Sequence, residues 1–313
     1  MEKLSPTFIK AAEVWLLDSS GTLLEFGSGF FGSARRFAAM TRQMCFGCGE
    51  GLPGRAWEEG QPLVLRDFTP TNFRRKTAAL DAGLGCAVAV PLFMHGALTS
   101  VLVLFFGHEV NAQSALELWR KDTDSGVMKL VDGDFAQQLK DAPSRPVVDV
   151  MPGAELPALA SQREQAVFME RFSGGANDSA GESAAEWTRA LAIPVSTKEH
   201  LAFVINLIAS TALPIARRVE RWVPVEGDSM LRRDYAFSEM HGRVSETPAF
   251  LPKYDTSGSI AKAFNTYIPI INELPASEYG APAAAAATIG SKALLAIPLI
   301  SNNRVVEVVA LYL

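Results

Sequence analysis

The chain repeats itself three times over its 313 residues, with a period of about 104. Trp15 in AEVWLLD returns as Trp119 in LELWRKD and as Trp222 in VERWVPV, 104 and then 103 residues on. Pro91 in AVAVPLF returns as Pro194 in ALAIPVS and Pro298 in LLAIPLI, at spacings of 103 and 104. Two landmarks about 75 residues apart that recur in step mark duplication of a whole unit. Solenoid bricks run to roughly 20–50 residues, so a unit of this size should carry its own core. Three domains are expected, at residues 1–109, 110–216 and 217–313.

In the first unit the apolar runs Glu13–Leu17 and Thr22–Phe26 bracket the polar turn Asp18–Gly21, which predicts a hairpin. Gly51–Trp57 reads as a short helix opened by turn residues, and Leu63–Leu65 as a short buried strand. Phe73, Thr77, Leu80 and Leu84 share one helical face, so the spacing predicts a helix over Phe73–Leu84. Cys86–Phe93 and Leu98–Phe106 flank Met94–Ala97 and predict a second, strongly apolar hairpin. The third unit follows at an offset of 207, with Gly258 for Gly51, Phe264 for Trp57 and Pro269 for Pro62. It adds a helix over Ala283–Thr288 and a closing hairpin of Ala293–Leu299 and Val305–Leu311. The second unit is the most eroded. It keeps Leu156, Pro157, Phe172 and the strand Leu201–Ala209, and its stretch Ser173–Glu182 reads as a loop. The fold class predicted is α+β, each unit being an antiparallel sheet with helices packed on it. Only about nine residues separate Phe105 from Ala115, and a similar number Ala209 from Val219, so tightly coupled domains are expected.

Composition narrows the function classes. Hydrophobic residues make up 48% and charged ones 20%, enough to build cores. A net charge of −5 without a long Lys/Arg run argues against a nucleic-acid surface. Leu201–Ala216 is the longest apolar stretch, but Asn206, Ser210, Thr211 and Pro214 interrupt it, so no membrane partner is expected. The N-terminus shows no charged-then-apolar leader, and three cysteines cannot all pair. A cytoplasmic, reducing location is the expectation.

Several ordered motifs of the first unit together resemble a GAF domain. They are Gly49-Glu-Gly-Leu-Pro-Gly-Arg-Ala-Trp57, Gly60-Gln-Pro62, Asp67, Phe73-Arg74, Ala82-Gly83-Leu84, Ala89-Val90-Pro91-Leu92, Gly96 and Val101–Phe106. The third unit resembles the family more loosely, through Gly258, Phe264, Pro269, Pro298 and the ending VVEVVALYL. The second does so by its register with its neighbours. The resemblance implies a sheet of five or six antiparallel strands flanked by helices, with a ligand pocket on one face under the loops and short helix. Family members bind cyclic nucleotides, bilins, haem, small anions or amino acids, and many serve as dimerisation modules, so the fold leaves function open. The long terminal helices and output domain of the usual GAF receptor find no counterpart in this sequence, which speaks against that design.

By this resemblance the pocket of the first unit is walled by Leu65, Phe68, Phe73, Ala78, Ala82 and Cys86, with Arg66, Asp67, Arg74 and Arg75 at its mouth. An apolar cavity with a few fixed polar groups suits a small molecule, and Arg74 or Arg75 would pair with an anionic ligand. The plainer alternative is that these apolar side chains fill the core and the arginines are solvated. Cys45-Phe-Gly-Cys48 is a lone C-x-x-C, open to reading as a redox pair or half a zinc site, with only Cys86 as a further thiol. His95, His108, His200 and His241 fall at or near predicted turns. No Ser/His/Asp set, nucleotide-cradling Gly loop or carboxylate pair has a meaningful spacing, so neither an enzyme nor a metal site is expected. Trp15, Trp119 and Trp222 are expected to be core or interdomain anchors. The sequence reads as a non-catalytic small-molecule-binding or sensory protein with its ligand in the first unit and no nameable cofactor. A protein partner or homo-oligomer is expected. The alternatives are a ligand-free scaffold or assembly subunit, and a thiol redox sensor or reductase using Cys45 and Cys48.

Overall fold

A computed structural model describes residues 6–68, 73–107, 114–133, 156–172, 188–198, 201–244, 248–255, 257–273 and 278–313. His108, His200 and the predicted loop Ser173–Glu182 lie outside the described residues.

The strands form three antiparallel sheets. The first contains β1 (Ile9–Leu17), β2 (Leu23–Phe30), β3 (Cys45–Gly47), β4 (Leu63–Leu65), β5 (Leu84–Met94) and β6 (Ala97–Gly107), in the order β3-β2-β1-β6-β5-β4. The second contains β7 (Ala115–Lys121), β8 (Met128–Gly133), β9 (Val167–Phe172), β10 (Thr188–Ser196) and β11 (Leu201–Ser210), in the order β8-β7-β11-β10-β9. The third contains β12 (Arg218–Pro224), β13 (Met230–Ser238), β14 (Gly242–Arg243), β15 (Phe250–Pro252), β16 (Ile270–Glu273), β17 (Ala293–Ser301) and β18 (Arg304–Tyr312). Its path runs β14-β13-β12-β18-β17-β16, with β15 beside β13. In every sheet the opening strand lies between its hairpin partner and the closing strand of its repeat. The registers repeat as well. Pro91 stands opposite Val101 and Pro298 opposite Val308. A register shift falls just before each tryptophan, at Val14/Trp15, Leu118/Trp119 and Arg221/Trp222.

Among the described residues, six helices join these strands: α1 (Arg35–Thr41), α2 (Gly51–Glu59), α3 (Lys76–Asp81), α4 (Leu156–Arg163), α5 (Ser259–Thr266) and α6 (Gly280–Ile289). The predicted hairpins form, and so do the short helix after Gly51 and the strand at Leu63. The predicted helix over Phe73–Leu84 is much shorter. Phe73–Arg75 enter it as a turn, and Gly83, at φ +71, ends it so that β5 begins at Leu84. Helix α1 was not foreseen, because only Phe37, Ala38 and Thr41 of its seven residues are buried and no apolar period can be read over that length. Helix α2 packs against the β3 exit with no room to spare. A Cβ at Gly54 would stand 2.1 Å from the carbonyl oxygen of Gly47, so that position requires glycine.

The chain divides into two compact units, one of residues 1–8, 110–194 and 202–215, the other of residues 9–109, 195–201 and 216–313. The larger unit holds the first and third sheets. Inside it the tips of hairpins β5–β6 and β17–β18 meet, where the His95 N–H donates to Asn303 Oδ1 at 2.8 Å. Trp15, Trp119 and Trp222 are all buried, each in the hydrophobic cluster of its own sheet.

Candidate functional site

Strand β1 directs Glu13 and Trp15 to the helix-covered face of the first sheet, opposite Val103 and Val101 of β6. Trp15 belongs there by size and hydrophobicity. Glu13 does not, and it is fully buried. A carboxylate removed from water is costly unless its oxygens are matched by donors. Here they are. Trp15 Nε1 donates to Glu13 Oε2 at 3.0 Å. Arg75 closes a two-pronged pair, with Nη1 on Oε1 and Nη2 on Oε2 at 3.2 Å. Thr41 Oγ1 lies 3.1 Å from Oε1 and also accepts from Arg75 Nη1.

The guanidinium of Arg75 is only 1% exposed and sits among aromatic rings. Its carbon lies 4.4 Å from the ring centre of Phe37, 5.2 Å from Phe73, 5.7 Å from Phe105 and 5.8 Å from Trp15. Phe68 stacks on Phe73 at 4.7 Å and lies 6.4 Å from Phe105. The result is a cage of four rings and one carboxylate closed around a cation of the same chain.

The carboxylate recurs at the repeat spacing, but its partners change. Glu117 Oε2 accepts from Trp119 Nε1 and from Asn206 Nδ2, each at 2.9 Å. Glu220 Oε2 accepts from Trp222 Nε1 and from the Tyr312 hydroxyl, each at 2.9 Å. Its other oxygen takes Arg218 Nε at 2.7 Å and Arg233 Nη1 at 3.4 Å. Burial, and then the charge of Glu220, hold the Tyr312 hydroxyl well above the usual tyrosine range. Sequence reasoning passed over these glutamates. The signal was there: each stands two residues before a repeated tryptophan, in AEVW, LELW and VERW.

The expected site residues divide. Phe68, Phe73 and Ala78 stand in or against the core of the first sheet, as do the half-buried Leu65 and Ala82. Cys86 is buried in β5 outside that cluster, while its neighbours Ala87 and Ala89 belong to it. Strand alternation therefore turns Cys86 to the opposite face, away from the expected pocket wall. Arg66 is half-buried, and Asp67 and Arg74 are exposed. Arg75 is not a residue of the mouth. It fills the interior, and its charge is already matched by Glu13 rather than offered to an anion. Cys45 on β3 and Cys48 in the following turn are exposed, while Phe46 between them is buried 4.7 Å from Trp15. Among the described residues no three His, Cys, Asp or Glu side chains gather as metal ligands, and no helix is long and apolar enough to cross a membrane.

Comparison with known proteins finds a GAF domain in the N-terminal region, where residues 2–121 match the GAF domain family model. No curated protein matches the chain. Among solved structures the chain is similar to the nlh2 GAF domain of A. aeolicus in an inactive state, at 20% identity and a TM-score of 0.26, over 32% of this chain and 59% of that one. A GAF domain/HD domain protein of Geobacter sulfurreducens is similar at 17% identity and a TM-score of 0.28, over 33% and 66%. The NreA protein of Staphylococcus aureus, mutated in its nitrate binding site, is similar at 16% identity and a TM-score of 0.27, over 32% and 73%.

Proposed function

We propose that the chain is a non-catalytic small-molecule-binding protein made of three copies of one α+β domain, with the ligand seat in the first. Residues 110–216 and 217–313 then serve as structural or partner-docking domains. The common strand order, the bulge before each tryptophan and the buried glutamate two residues earlier support the triplication. The family match at residues 2–121 supports sensing, because GAF domains are typically small-molecule sensing domains. The observation that carries the reading is the charged cage on the helix-covered face of the first sheet. Its groups bind rather than react: the Glu13 carboxylate is held by Arg75 and Trp15, and the Thr41 hydroxyl by Glu13 and Arg75. A second reading, a ligand-free scaffold, draws on how closely Phe37, Phe68, Phe73 and Phe105 pack on one another.

Native mass spectrometry of the purified protein, joined to thermal unfolding against carboxylates, cyclic nucleotides and organic cations, separates the two. A sensor should carry an adduct or gain about 2.7 kcal/mol at a ligand concentration of about 100 Kd. No adduct and no shift with any compound would leave the scaffold.

A further inference from the structure

Resting on the reading of the first domain as a binding domain, we propose that its seat takes a small molecule bearing a guanidinium group. Arg75 is the tethered occupant that such a ligand replaces. With Arg75 withdrawn, the lining is the Glu13 carboxylate, the Thr41 hydroxyl and the rings of Trp15, Phe37 and Phe105. A carboxylate inside an aromatic box recognises an organic cation and repels an anion, which inverts the ligand charge that a free Arg75 would suggest.

Three further observations point the same way. The seat and its occupant come from different kinds of backbone. Glu13 and Trp15 stand on β1, Phe105 on β6, and Phe37 and Thr41 on α1, whereas Arg75 lies in the turn before the six-residue α3. The occupant also fits imperfectly, since its buried Nε has no hydrogen-bond partner. Exchange is balanced in charge, because Arg75 regains water as the incoming guanidinium loses it and Glu13 is never left unpaired. The third domain contrasts with this. The cations on Glu220 are Arg218 and Arg233, which belong to strands β12 and β13 of the sheet itself and have no turn to carry them out.

The test is calorimetric titration of the full chain with methylguanidine and agmatine, with acetate and cyclic AMP as comparators, at concentrations below those that denature. Wild-type protein should bind agmatine in a saturable 1:1 manner. Arg75→Ala, and the more conservative Arg75→Lys, should bind methylguanidine at least tenfold more tightly than wild type, because the internal competitor is removed or shortened. Adding Glu13→Gln to either variant should abolish the gain. Should Arg75→Ala fold poorly, its Tm should rise with methylguanidine and not with acetate, and Arg75→Lys carries the affinity comparison. Binding of acetate or cyclic AMP without either guanidinium compound would overturn this inference and leave the first domain a binding domain. No binding by any of the four, in wild type and variants alike, would overturn both.

Discussion

Glu13 places a full negative charge where the alternation of β1 calls for an apolar side chain, and Arg75 crosses 62 residues of sequence to meet it. Such a pair adds little net stability over a well-packed apolar substitute, yet breaking one side of it is severe. Arg75→Met should therefore cost about 3–5 kcal/mol in urea unfolding, because Glu13 is then left in the core without its main partner. The double variant Glu13→Gln/Arg75→Met should recover most of that loss. A coupling energy near zero in this cycle would show that the two side chains do not meet. The same sequence separation explains why the site was only partly legible. Phe68, Phe73 and Ala78 were expected through the family resemblance, and they stand in or against the core of the first sheet. The inward turn of Arg75 depends on a carboxylate that no local pattern links to it.

At the scale of elements, the hairpins were legible because apolar runs end at short turns that carry Gly. The turn of β1–β2 shows why Asp18 stands there. Asp18 Oδ1 accepts the backbone N–H groups of Thr22 and Leu23, and Ser20 Oγ donates to Oδ2. The Ser20 hydroxyl first, then the Leu23 N–H, lower its carboxyl to about 2. A depressed folded value means the turn's contribution is complete above the unfolded value of about 4 and is lost as pH falls toward 2. Asp18→Asn should thus destabilise the protein at pH 6, and the gap from wild type should narrow by pH 2. An unchanged gap would count against this turn. Helices were less legible than strands. The facial pattern of Phe73 to Leu84 suggested three turns of helix, but Phe73 and Arg75 serve the cage from a turn and Gly83 ends α3 early. Helix α2 ends at Gly60, whose φ of +64 suits the residue without a side chain.

At the scale of the whole molecule, a single plan serves three times with three solutions to one electrostatic problem. A buried glutamate holds the indole of the tryptophan two residues on, and further hydrogen bonds reach Glu13 from Arg75 and Thr41, Glu117 from Asn206, and Glu220 from Arg218, Arg233 and Tyr312. The repeat of Trp and Pro announced the plan, while the differing partners lay at unrelated sequence positions and could not be seen in it. The most direct measurement is hydrogen exchange at the indole nitrogens of the five tryptophans, followed by NMR. The account predicts slow exchange for Trp15, Trp119 and Trp222, and faster exchange for the half-buried Trp57. It also predicts that Glu13→Gln, Glu117→Gln and Glu220→Gln each shift the resonance of their own tryptophan alone. Fast exchange at any of the three, or a glutamate substitution that leaves its tryptophan unmoved, would contradict it.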